Sequence, residues 1–491
     1  MTEPLRSLGA VGNVLRSAGL LLEAQGPGDV AVMGVAQDSR TVKPGDIFLA
    51  WRGMAHDGHD HVGEALARGA VACVVERPVD AEVPQLVVSD GRRAAALTAA
   101  GVMGFPSQDL EAVAITGTNG KTTTALLVRD ILKTRMRAAT IGTLGLVDDD
   151  GVRPGSESLT TPGPVQLAGW LRSLVDEGFE AVVLEASSHA LEQRRLDGMT
   201  FDVAVFTNLS QDHLDYHGDL ESYRAAKVRL VDLVAPAGSV ALNRDDPAWD
   251  GMEVGERRRV TFGVRDDTDV GAESVRLGPD GSTFVLRIGE DRRPVRLPLL
   301  GAYNVENALA AAAAAAALGL GIGEIASGLE GAGQVPGRLE VVRTSPFGVL
   351  IDFAHTPAAL EGMLRAVGPL VNGRLIVLFG AGGDRDRAKR RPMAEAVARH
   401  ADVVVLTSDN PRTEDPEAIL DDLESGLVGV DHERISDRRL AIRRALELAA
   451  SGDMVVLAGK GHETYQVVGT EKQPFDERTA VKDALGDMGV A

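Results

Sequence analysis

Residues 112–124 read AVAITGTNGKTTT and decide the fold of the middle of the chain. The apolar run 112–115 predicts a buried strand, and the Gly-rich turn after it leads into a helix that begins near Lys121. Backbone N–H groups of such a turn, together with the first turn of the helix, point at a bound anion. The stretch therefore predicts a phosphate-binding loop.

The loop predicts ATP as its ligand and Mg²⁺ as the accompanying cofactor. Lys121 is placed to neutralise the distal phosphates, and the hydroxyl of Thr122 follows it as the Mg²⁺-binding hydroxyl does in such loops. The general pattern G-x-x-x-x-G-K-T would have glycine where the chain has Ile115, so Gly117 opens a shortened loop. A Gly-rich turn with a surface lysine is the alternative that this departure leaves open.

Similar apolar runs recur on both sides of the loop, each followed by a polar turn and a helix-like segment. In the middle of the chain these runs are 181–184, 203–206 and 239–242, and a second series comprises 375–379, 403–406 and 454–457. This alternation predicts an α/β fold with parallel sheets. Because ligands bind outside the carboxyl ends of parallel strands, each series predicts one ligand-binding edge.

The length of 491 residues suggests about three domains. We predict a small N-terminal α/β domain at 1–107, a central phosphate-loop domain at 108–336 and a C-terminal Rossmann-like α/β domain at 337–491. A β-like stretch at 259–300, an Ala-rich tract at 308–322 that predicts a buried helix, and a turn at 335–338 separate the two series of strands.

Composition limits the partners and the compartment. A net charge of −20 disfavours binding to nucleic acid or to an anionic membrane. Cys73 is the only cysteine, which excludes an intrachain disulfide and favours a reducing compartment. The N-terminal residues do not have the pattern of a signal peptide. We therefore expect a monomeric cytoplasmic protein whose partners are small molecules.

Three further polar residues are candidates for the metal and catalytic site. Glu185 directly follows the run 181–184, so its carboxylate would emerge at the same sheet edge as the loop and bind Mg²⁺. His213 follows the run 203–206, and a neutral imidazole can complete a carboxylate-rich metal shell, although a single histidine there is more often structural. Lys227, taken alone, is typical of a solvated helix lysine.

The order of the motifs along the chain indicates a family. They are GTNGKTT (117–123), LTTP (159–162), EASSHAL (185–191), TNLSQDHLDYHG (207–218), YRAAK (223–227), YNVENALAA (303–311), GRLE (337–340), DFAHTP (352–357), GAGGDRD (380–386), SDNPR (408–412) and GKGHE (459–463). Over nearly its whole length the chain resembles the Mur ligases of peptidoglycan synthesis, and the shortened phosphate loop is the form that this family has.

The resemblance implies an ATP-dependent ligase. Such an enzyme phosphorylates the terminal carboxylate of UDP-N-acetylmuramoyl-L-Ala-D-Glu, and an incoming amine displaces phosphate to form an amide. The implied catalytic residues are Lys121, Glu185, His213 and Lys227, of which Glu185, His213, Thr122 and a carbamylated Lys227 would hold Mg²⁺. The implied ATP-binding residues are Gly117, Thr118, Asn119, Gly120, Lys121, Thr122, Thr123, Asn307, Arg338, Asp352 and His355.

The same resemblance implies a site for the sugar nucleotide and its peptide. Its residues are Ser39, Met54, Ala55, His56, Thr160, Thr161, Ser187, Gln193 and Arg195. The segment 56–61, HDGHDH, could by itself suggest a metal cluster, but we interpret it as part of the sugar-nucleotide region. Gln37 occupies a position at which family members carry an apolar residue.

The C-terminal motifs bear on the incoming amine. The implied contacts are Arg390, Asp409, Asn410, Pro411, Arg412, Gly459 and Glu463. The guanidinium of Arg412 suits the second carboxylate of meso-2,6-diaminopimelate, and Glu463 can pair with an ammonium group. L-Lysine or L-ornithine would put an ammonium near Arg412 instead, so the motif favours diaminopimelate.

Other classes of protein remain as alternatives. A folylpolyglutamate or cyanophycin ligase shares the ATP-binding half but should lack the DNPR and GKGHE pair in this arrangement. A nucleoside or sugar kinase would use the loop without an acceptor domain. A non-enzymatic ATP-binding regulator would bind the nucleotide without forming an amide.

Overall fold

Three separate β-sheets with flanking helices follow one another along the chain in this computed structural model, which describes residues 3–53, 56–156 and 159–489. The α/β fold class predicted from the sequence is thereby confirmed. The predicted limits of the three domains stay a prediction, although each predicted domain contains one of the sheets.

The N-terminal sheet has five strands in the order β1-β5-β4-β3-β2. Its strands are β1 (Leu21–Gln25), β2 (Gly34–Ala36), β3 (Asp46–Ala50), β4 (Ala72–Val75) and β5 (Gln85–Val88), and its helices are α1 (Leu8–Ser17), α2 (Val62–Ala67) and α3 (Gly91–Val102). All pairs are parallel except β1 with β5. Cys73 is buried within β4.

The central sheet has eleven strands in the order β16-β15-β14-β13-β12-β11-β6-β10-β7-β8-β9. They are β6 (Glu111–Thr116), β7 (Ala138–Gly142), β8 (Gly145–Asp148), β9 (Gly151–Val152), β10 (Ala181–Glu185), β11 (Phe201–Phe206), β12 (Val234–Asn243), β13 (Arg258–Gly263), β14 (Val270–Gly278), β15 (Gly281–Ile288) and β16 (Asp291–Leu297). The prediction of a parallel sheet holds from β7 to β14, but hairpins extend both edges antiparallel. The predicted β-like stretch at 259–300 covers most of β13, which is still parallel, and β14 to β16, which form one of these extensions.

Helices cover both faces of the central sheet. They are α4 (Lys121–Leu132), α5 (Pro164–Asp176), α6 (Ser188–Glu192), α7 (Leu214–His217), α8 (Leu220–Val228), α9 (Ala302–Ala317) and α10 (Ile322–Glu330). The Ala-rich tract lies in α9 and is buried, as predicted, but the helix ends before the tract does. Gly319 adopts a left-handed backbone (φ 84°) and Leu320 N donates to Ala315 O, which closes the helix.

The C-terminal sheet has six strands in the order β17-β18-β22-β19-β20-β21, with a separate hairpin β23-β24. The strands are β17 (Glu340–Arg343), β18 (Gly348–Asp352), β19 (Leu375–Phe379), β20 (Val403–Leu406), β21 (Asp431–Arg434), β22 (Met454–Ala458), β23 (Tyr465–Val468) and β24 (Glu471–Pro474). The helices are α11 (Pro357–Val367), α12 (Arg390–Ala398), α13 (Pro416–Glu424), α14 (Arg438–Leu448) and α15 (Glu477–Asp487). Only β17 runs antiparallel.

The order of strands determines where ligands can bind. β6 lies in the middle of the central sheet between β10 and β11, so the loop that follows it opens between two diverging connections. β19 and β22 are neighbours in the C-terminal sheet, and the GAGGDRD and GKGHE segments follow them. Among the residues that the structure describes, no helix has the length and apolar character needed to cross a membrane.

Candidate active site

The phosphate loop joins β6 to α4 in a conformation that glycine permits. Gly117 (φ 151°) and Gly120 (φ 84°) have positive φ angles, and a Cβ atom on either would collide with the side chain of Thr207 or Asn307 respectively. The loop is held by the segment after β11, because Asn119 N donates to Asn208 Oδ1 at 2.8 Å and Thr207 Oγ1 donates to Asn119 O at 2.8 Å.

Lys121 folds back over the loop at the first position of α4. Its Nζ donates to Gly117 O at 3.0 Å and to Thr118 O at 2.9 Å. Burial lowers the pKa of Lys121, and the negative charges of Glu185 and Asp212 oppose that shift. Bound phosphate oxygens would therefore lie close to a fixed cation and to the N-terminus of α4.

Glu185 is the last residue of β10, so its carboxylate reaches the sheet edge that the sequence predicted. It accepts hydrogen bonds from Thr122 Oγ1 at 3.1 Å and from the N and Oγ1 of Thr143, both at 2.9 Å. A buried carboxylate beside a threonine hydroxyl offers the hard oxygen donors that Mg²⁺ prefers, so the residues present fit this cofactor. Thr143 carried no sequence signal.

His213 stands at the mouth of the same cleft. Its backbone is left-handed (φ 53°), its side chain is 48% exposed and its Nε2 lies 3.6 Å from Asp212 Oδ2. Burial lowers the pKa of His213, and Asp212 opposes that effect. The imidazole is therefore held toward its neutral form, which is the form that binds metals. Among the described residues, no three His, Cys, Asp or Glu side chains surround one point as a metal centre would require.

Lys227 is buried, which contradicts the ordinary expectation for a helix lysine. Only 1% of the residue is exposed, and its Nζ donates to Gly117 O at 2.8 Å and lies 4.3 Å from the centre of the Tyr223 ring. Burial and then the nearby Lys121 lower the pKa of Lys227 far below that of an ordinary lysine. Lys227 lies beneath the loop and does not line the cleft.

The cleft above the loop also takes residues from the start of the C-terminal region. It measures about 1520 Å³, is open to solvent, and is lined by four of the residues implied to bind ATP, Asn307, Arg338, Asp352 and His355. Phe353, which the sequence did not single out, lies in contact with the guanidinium of Arg338 (4.6 Å) and the ring of His355 (4.6 Å). An aromatic ring of this kind offers a stacking surface for a nucleotide base.

Two groups of residues correspond to the predicted sugar-nucleotide site. Near the N-terminal sheet, Ser39, His56 and Gln37 line an open pocket of about 1060 Å³, and Ser39 Oγ donates to Glu64 Oε2 at 2.7 Å. The predicted residues Met54 and Ala55 fall outside the described part of the chain. In the 56–61 segment, the two ring nitrogens of His59 bond Asp57 and the backbone N–H of Glu76.

The second group surrounds the end of β10. Thr161 Oγ1 donates to Glu185 O at 2.7 Å and accepts from Ser187 N at 3.0 Å. Arg195 donates to Thr161 O at 2.9 Å and to Gln193 Oε1 at 2.6 Å. Thr143 Oγ1 lies 3.3 Å from Thr160 Oγ1, so the predicted hydroxyls and the arginine lie next to the carboxylate of Glu185.

A second, larger cleft of about 2360 Å³ contains the predicted amine-binding residues Asp409, Asn410, Arg412, Gly459 and Glu463. Arg412 (φ 53°) donates through Nη1 to Gly383 O at 2.7 Å, which fixes its guanidinium against the GAGGDRD segment. Asn410 Nδ2 donates to Glu463 Oε2 at 2.9 Å. The lining of this cleft therefore includes both a cation and carboxylates. Burial lowers the pKa of Arg412 from its ordinary value.

A buried lysine that the sequence did not single out organises the acidic side of this pocket. Lys460 is 0% exposed, and its Nζ donates to Glu463 Oε2 at 3.0 Å and to Asn410 Oδ1 at 3.1 Å, and lies 3.4 Å from Asp409 Oδ1. The buried pair Arg438–Glu477 supports the same loops, because Arg438 donates to Ser408 O at 3.2 Å and to Ala458 O at 3.0 Å.

Two predicted amine contacts do not line this cleft. Pro411 is buried beside Gly383, and Arg390 is 1% exposed. Arg390 donates both to Glu414 at 2.8 Å and to Asp422 at 2.9 Å. The two carboxylates draw the guanidinium of Arg390 behind the pocket wall, where it holds α12 against the segment leading into α13. Lys389, its neighbour, lines the cleft instead.

The two clefts meet. Asp212, His213, Phe353 and His355 line both the cleft above the phosphate loop and the cleft with Arg412 and Glu463. A phosphoryl donor in the first cleft and an amine in the second would therefore approach a common region. This fold and this pair of clefts define the class of ATP-dependent ligases.

Comparison with known proteins identifies the family within that class. Family models described as "Mur ligase family, catalytic domain", "Mur ligase middle domain" and "Mur ligase, glutamate ligase domain" match residues 31–115, 115–315 and 337–461. The chain belongs to the Mur ligase family.

Individual relatives cover almost the whole chain. A UDP-N-acetylmuramoyl-L-alanyl-D-glutamate--2,6-diaminopimelate ligase from Geobacillus kaustophilus is 43% identical over 475 residues, 94% of this chain and 96% of the relative. The ligase of the same name from Geobacter sulfurreducens is 44% identical over 475 residues, 91% of this chain and 93% of the relative. A solved structure of a ligase with this name superposes with a TM-score of 0.70 at 34% identity and covers 100% of both chains.

Proposed function

We propose that the chain is the ATP-dependent ligase that adds meso-2,6-diaminopimelate to UDP-N-acetylmuramoyl-L-alanyl-D-glutamate in peptidoglycan synthesis. The junction of the two clefts at His213 and His355 carries this proposal, because amide formation needs an activated carboxyl group and an amine in one place. The names of relatives that share more than two fifths of their sequence with the chain support the substrate pair.

The first step activates the carboxyl group. A terminal carboxylate oxygen of the dipeptide attacks the γ-phosphorus of ATP, the bond to the β–γ bridging oxygen breaks, and ADP leaves with that bonding pair. Lys121 and the loop N–H groups offset the charge that spreads over the phosphoryl oxygens. Bound Mg²⁺ would supply further charge neutralisation there, and Thr122, Glu185, His213 and a carbamylated Lys227 would hold it.

The second step forms the amide. The neutral amine of diaminopimelate attacks the acyl phosphate carbon, the bond from that carbon to the phosphate oxygen breaks, and inorganic phosphate and one proton leave. Both clefts must be filled at this point, because the acyl phosphate and the amine meet in the region that the two clefts share. No covalent intermediate on the enzyme is required.

Carbamylation of Lys227 is part of the proposal. A charged ammonium cannot bind a cation, whereas the neutral amine can attack CO₂ to give an anionic carbamate with release of one proton. Burial of Lys227 and repulsion by Lys121 favour the neutral amine, which supports this modification.

The choice of amine depends on Arg412 and Glu463, which line the same cleft. A second carboxylate pairs with the Arg412 guanidinium, and an ammonium group pairs with the acidic side that Asp409 and Glu463 form. L-Lysine or L-ornithine would bring an ammonium toward Arg412, which costs binding energy. Arg390 would act by positioning Glu414 and α12, and Pro411 by setting the backbone before Arg412.

The predicted contacts to the sugar nucleotide and its peptide lie in two separate regions. We propose that the pocket at Ser39, His56 and Gln37 takes the uridine end of the sugar nucleotide, and that the group at Thr160, Thr161, Ser187, Gln193 and Arg195 takes the sugar and the peptide. We also propose three domains with limits at 1–107, 108–336 and 337–491, each of which contains one of the three large sheets. A monomeric cytoplasmic enzyme is consistent with its use of ATP.

Turnover by the purified chain tests the function. With ATP, Mg²⁺ and UDP-N-acetylmuramoyl-L-alanyl-D-glutamate, we expect ADP and phosphate to appear in amounts that match the meso-diaminopimelate consumed. Turnover with L-lysine or L-ornithine alone would contradict the amine, and turnover with a folate substrate and glutamate would favour the folylpolyglutamate alternative. Nucleotide binding without turnover of any acceptor would support a regulator.

A further inference from the structure

An open pocket lined with arginines lies at the opposite edge of the central sheet from the phosphate loop. Its floor is formed where β11 and β12 begin, at Met199, Thr200 and Val234, whereas the loop follows the end of β6. The pocket measures about 1080 Å³ and has no residue in common with the two clefts described above. It is therefore a separate feature of the fold.

Four guanidinium groups from four different segments line this pocket. Arg93 comes from α3 of the N-terminal region, Arg194 follows α6, Arg229 follows α8, and Arg257 precedes β13. Two carboxylates, Asp197 and Asp232, face the same space, so two positive charges remain. Such a local excess of positive charge is notable in a chain whose net charge is −20.

The carboxylates do not neutralise all four arginines. Asp197 is shared by Arg194 at 3.2 Å and Arg93 at 3.5 Å. Arg257 lines the pocket and donates its Nε to Val234 O at 2.9 Å, a contact that does not use its two terminal nitrogens. Within the described ranges, neither Arg229 nor Arg257 has a carboxylate within ion-pair distance. Burial and then repulsion by Arg194 lower the pKa of Arg229, and the carboxylates of Asp197, Glu192 and Asp232 oppose that shift only in part.

The backbone at Arg194 directs two neighbouring arginines to different sites. Arg194 adopts a left-handed backbone (φ 61°), which a non-glycine residue rarely does. Arg194 faces this pocket, whereas Arg195 turns to Thr161 and Gln193 in the second sugar-nucleotide group. The strained residue thus separates the arginine pocket from the substrate side of the enzyme.

We propose that this pocket, lined by Arg93, Arg194, Arg229 and Arg257, binds a small polyvalent oxyanion. Planar guanidinium groups pair with phosphate and carboxylate oxygens through two parallel hydrogen bonds, and several such groups converging on one space select for ligands with two or more negative charges. The apolar side chains of Leu191, Leu233 and Pro236 form other parts of the pocket wall. The ligand is a di- or triphosphate ester or a polycarboxylate.

Calorimetric titration of the full chain with inorganic pyrophosphate tests the proposal. The titration is made in a Lys121→Ala background, which weakens anion binding at the phosphate loop without adding a nucleotide that could itself fill the arginine pocket. Sodium chloride at matched ionic strength serves as the blank. We expect one saturable site per chain. Arg229→Ala and Arg257→Ala should each weaken pyrophosphate binding about tenfold, the loss expected for one charge-assisted contact. Arg258→Ala, which removes an exposed guanidinium next to Arg257, should leave binding unchanged.

Further measurements identify the class of anion and control for misfolding. Arg229→Lys keeps the charge without the planar fork and should weaken binding while leaving the melting temperature unchanged. Tighter binding of pyrophosphate than of citrate assigns the pocket to phosphate esters, and the reverse assigns it to polycarboxylates. Absence of saturable binding, or equal affinity in the wild type, Arg229→Lys and Arg257→Ala, would overturn the proposal. Ligase turnover is not used in this test, so its outcome is independent of the proposed function.

Discussion

Lys227 donates a hydrogen bond from Nζ to the carbonyl oxygen of Gly117 over 2.8 Å, although the two residues are 110 positions apart in the chain. Lys121 donates to the same oxygen at 3.0 Å. Burial, and then repulsion by the Lys121 ammonium at the shared acceptor, lower the pKa of Lys227 far below its ordinary value. A neutral amine beneath the phosphate loop is the form that can react with CO₂.

Lys227→Ala should lower kcat by about a hundredfold or more, because it removes the proposed carbamate from the metal site. Added bicarbonate should not restore turnover in this variant. Rates measured at saturating ATP and Mg²⁺ check the effect, with Lys482→Ala, which removes an exposed lysine of α15, as the matched control. Full activity of Lys227→Ala would remove the carbamate from the mechanism.

Thr143→Val should raise the Mg²⁺ concentration needed for half-maximal activity by about tenfold. The substitution keeps the shape of the side chain but removes the hydroxyl that donates to Glu185 Oε2 at 2.9 Å, so the carboxylate is less firmly oriented. Activity measured against Mg²⁺ concentration checks this, and Thr283→Val on the exposed side of β15 is the control. An unchanged Mg²⁺ dependence would show that Glu185 does not bind the metal through this arrangement.

Arg412→Ala should raise the KM for meso-diaminopimelate by about tenfold or more and leave the KM for ATP nearly unchanged. Arg412→Lys should restore little of the lost affinity for meso-diaminopimelate, because an ammonium cannot reproduce the planar guanidinium fork. Initial rates at varied amine concentration check both variants against Arg391→Ala, which removes an exposed arginine of α12. Equal increases of the two KM values would place Arg412 outside the amine pocket.

Lys460→Met should also raise the KM for the amine, but through loss of order in the pocket. Without the buried cation, Asp409 and Glu463 repel each other, and stability should fall by about 3 kcal/mol. The melting temperature and the two KM values are therefore measured together, with Lys472→Met in the exposed hairpin as the control. A lower melting temperature with an unchanged KM for the amine would limit Lys460 to a structural role.

Local patterns in the sequence predicted much of the fold and part of the site. The runs of apolar residues correspond to β6, β10, β11, β12, β19, β20 and β22, because strands buried on both faces leave continuous apolar stretches. Glu185 was predictable because a residue at the end of a parallel strand must emerge at the ligand-binding edge.

Other site features depend on pairs that are distant in the chain. Thr143 bonds Glu185 across 42 positions, and Lys460 approaches Asp409 across 51, so neither leaves a periodic or local signal. Arg390 matched a substrate-binding motif, yet Glu414 and Asp422, 24 and 32 positions away, engage its guanidinium. The motif could predict that Arg390 lies close to the amine pocket, but not that two distant carboxylates would bind its guanidinium outside that pocket.

Acid should destabilise the wild-type chain partly through His462. Burial, and then the positive charge of Arg338, lower the pKa of His462 from 6.5 to about 3 in the folded state. The unfolded chain therefore takes up this proton first as pH falls from 6.5, so unfolding is increasingly favoured until the pH approaches the folded pKa. The loss should be on the order of 3 kcal/mol between pH 7 and pH 4.

His462→Gln removes the titration while keeping a polar side chain of similar size against Phe353, whose ring centre lies 4.9 Å from that of His462. The melting temperature of this variant should therefore fall less than that of the wild type between pH 7 and pH 4, whatever the difference at pH 7. His61→Gln, at an exposed histidine, should follow the wild type at every pH. If the melting temperatures of the wild type and His462→Gln fell equally between pH 7 and pH 4, His462 would be protonated as easily in the folded chain as in the unfolded one. Its burial against Phe353 would then not hold the ring neutral.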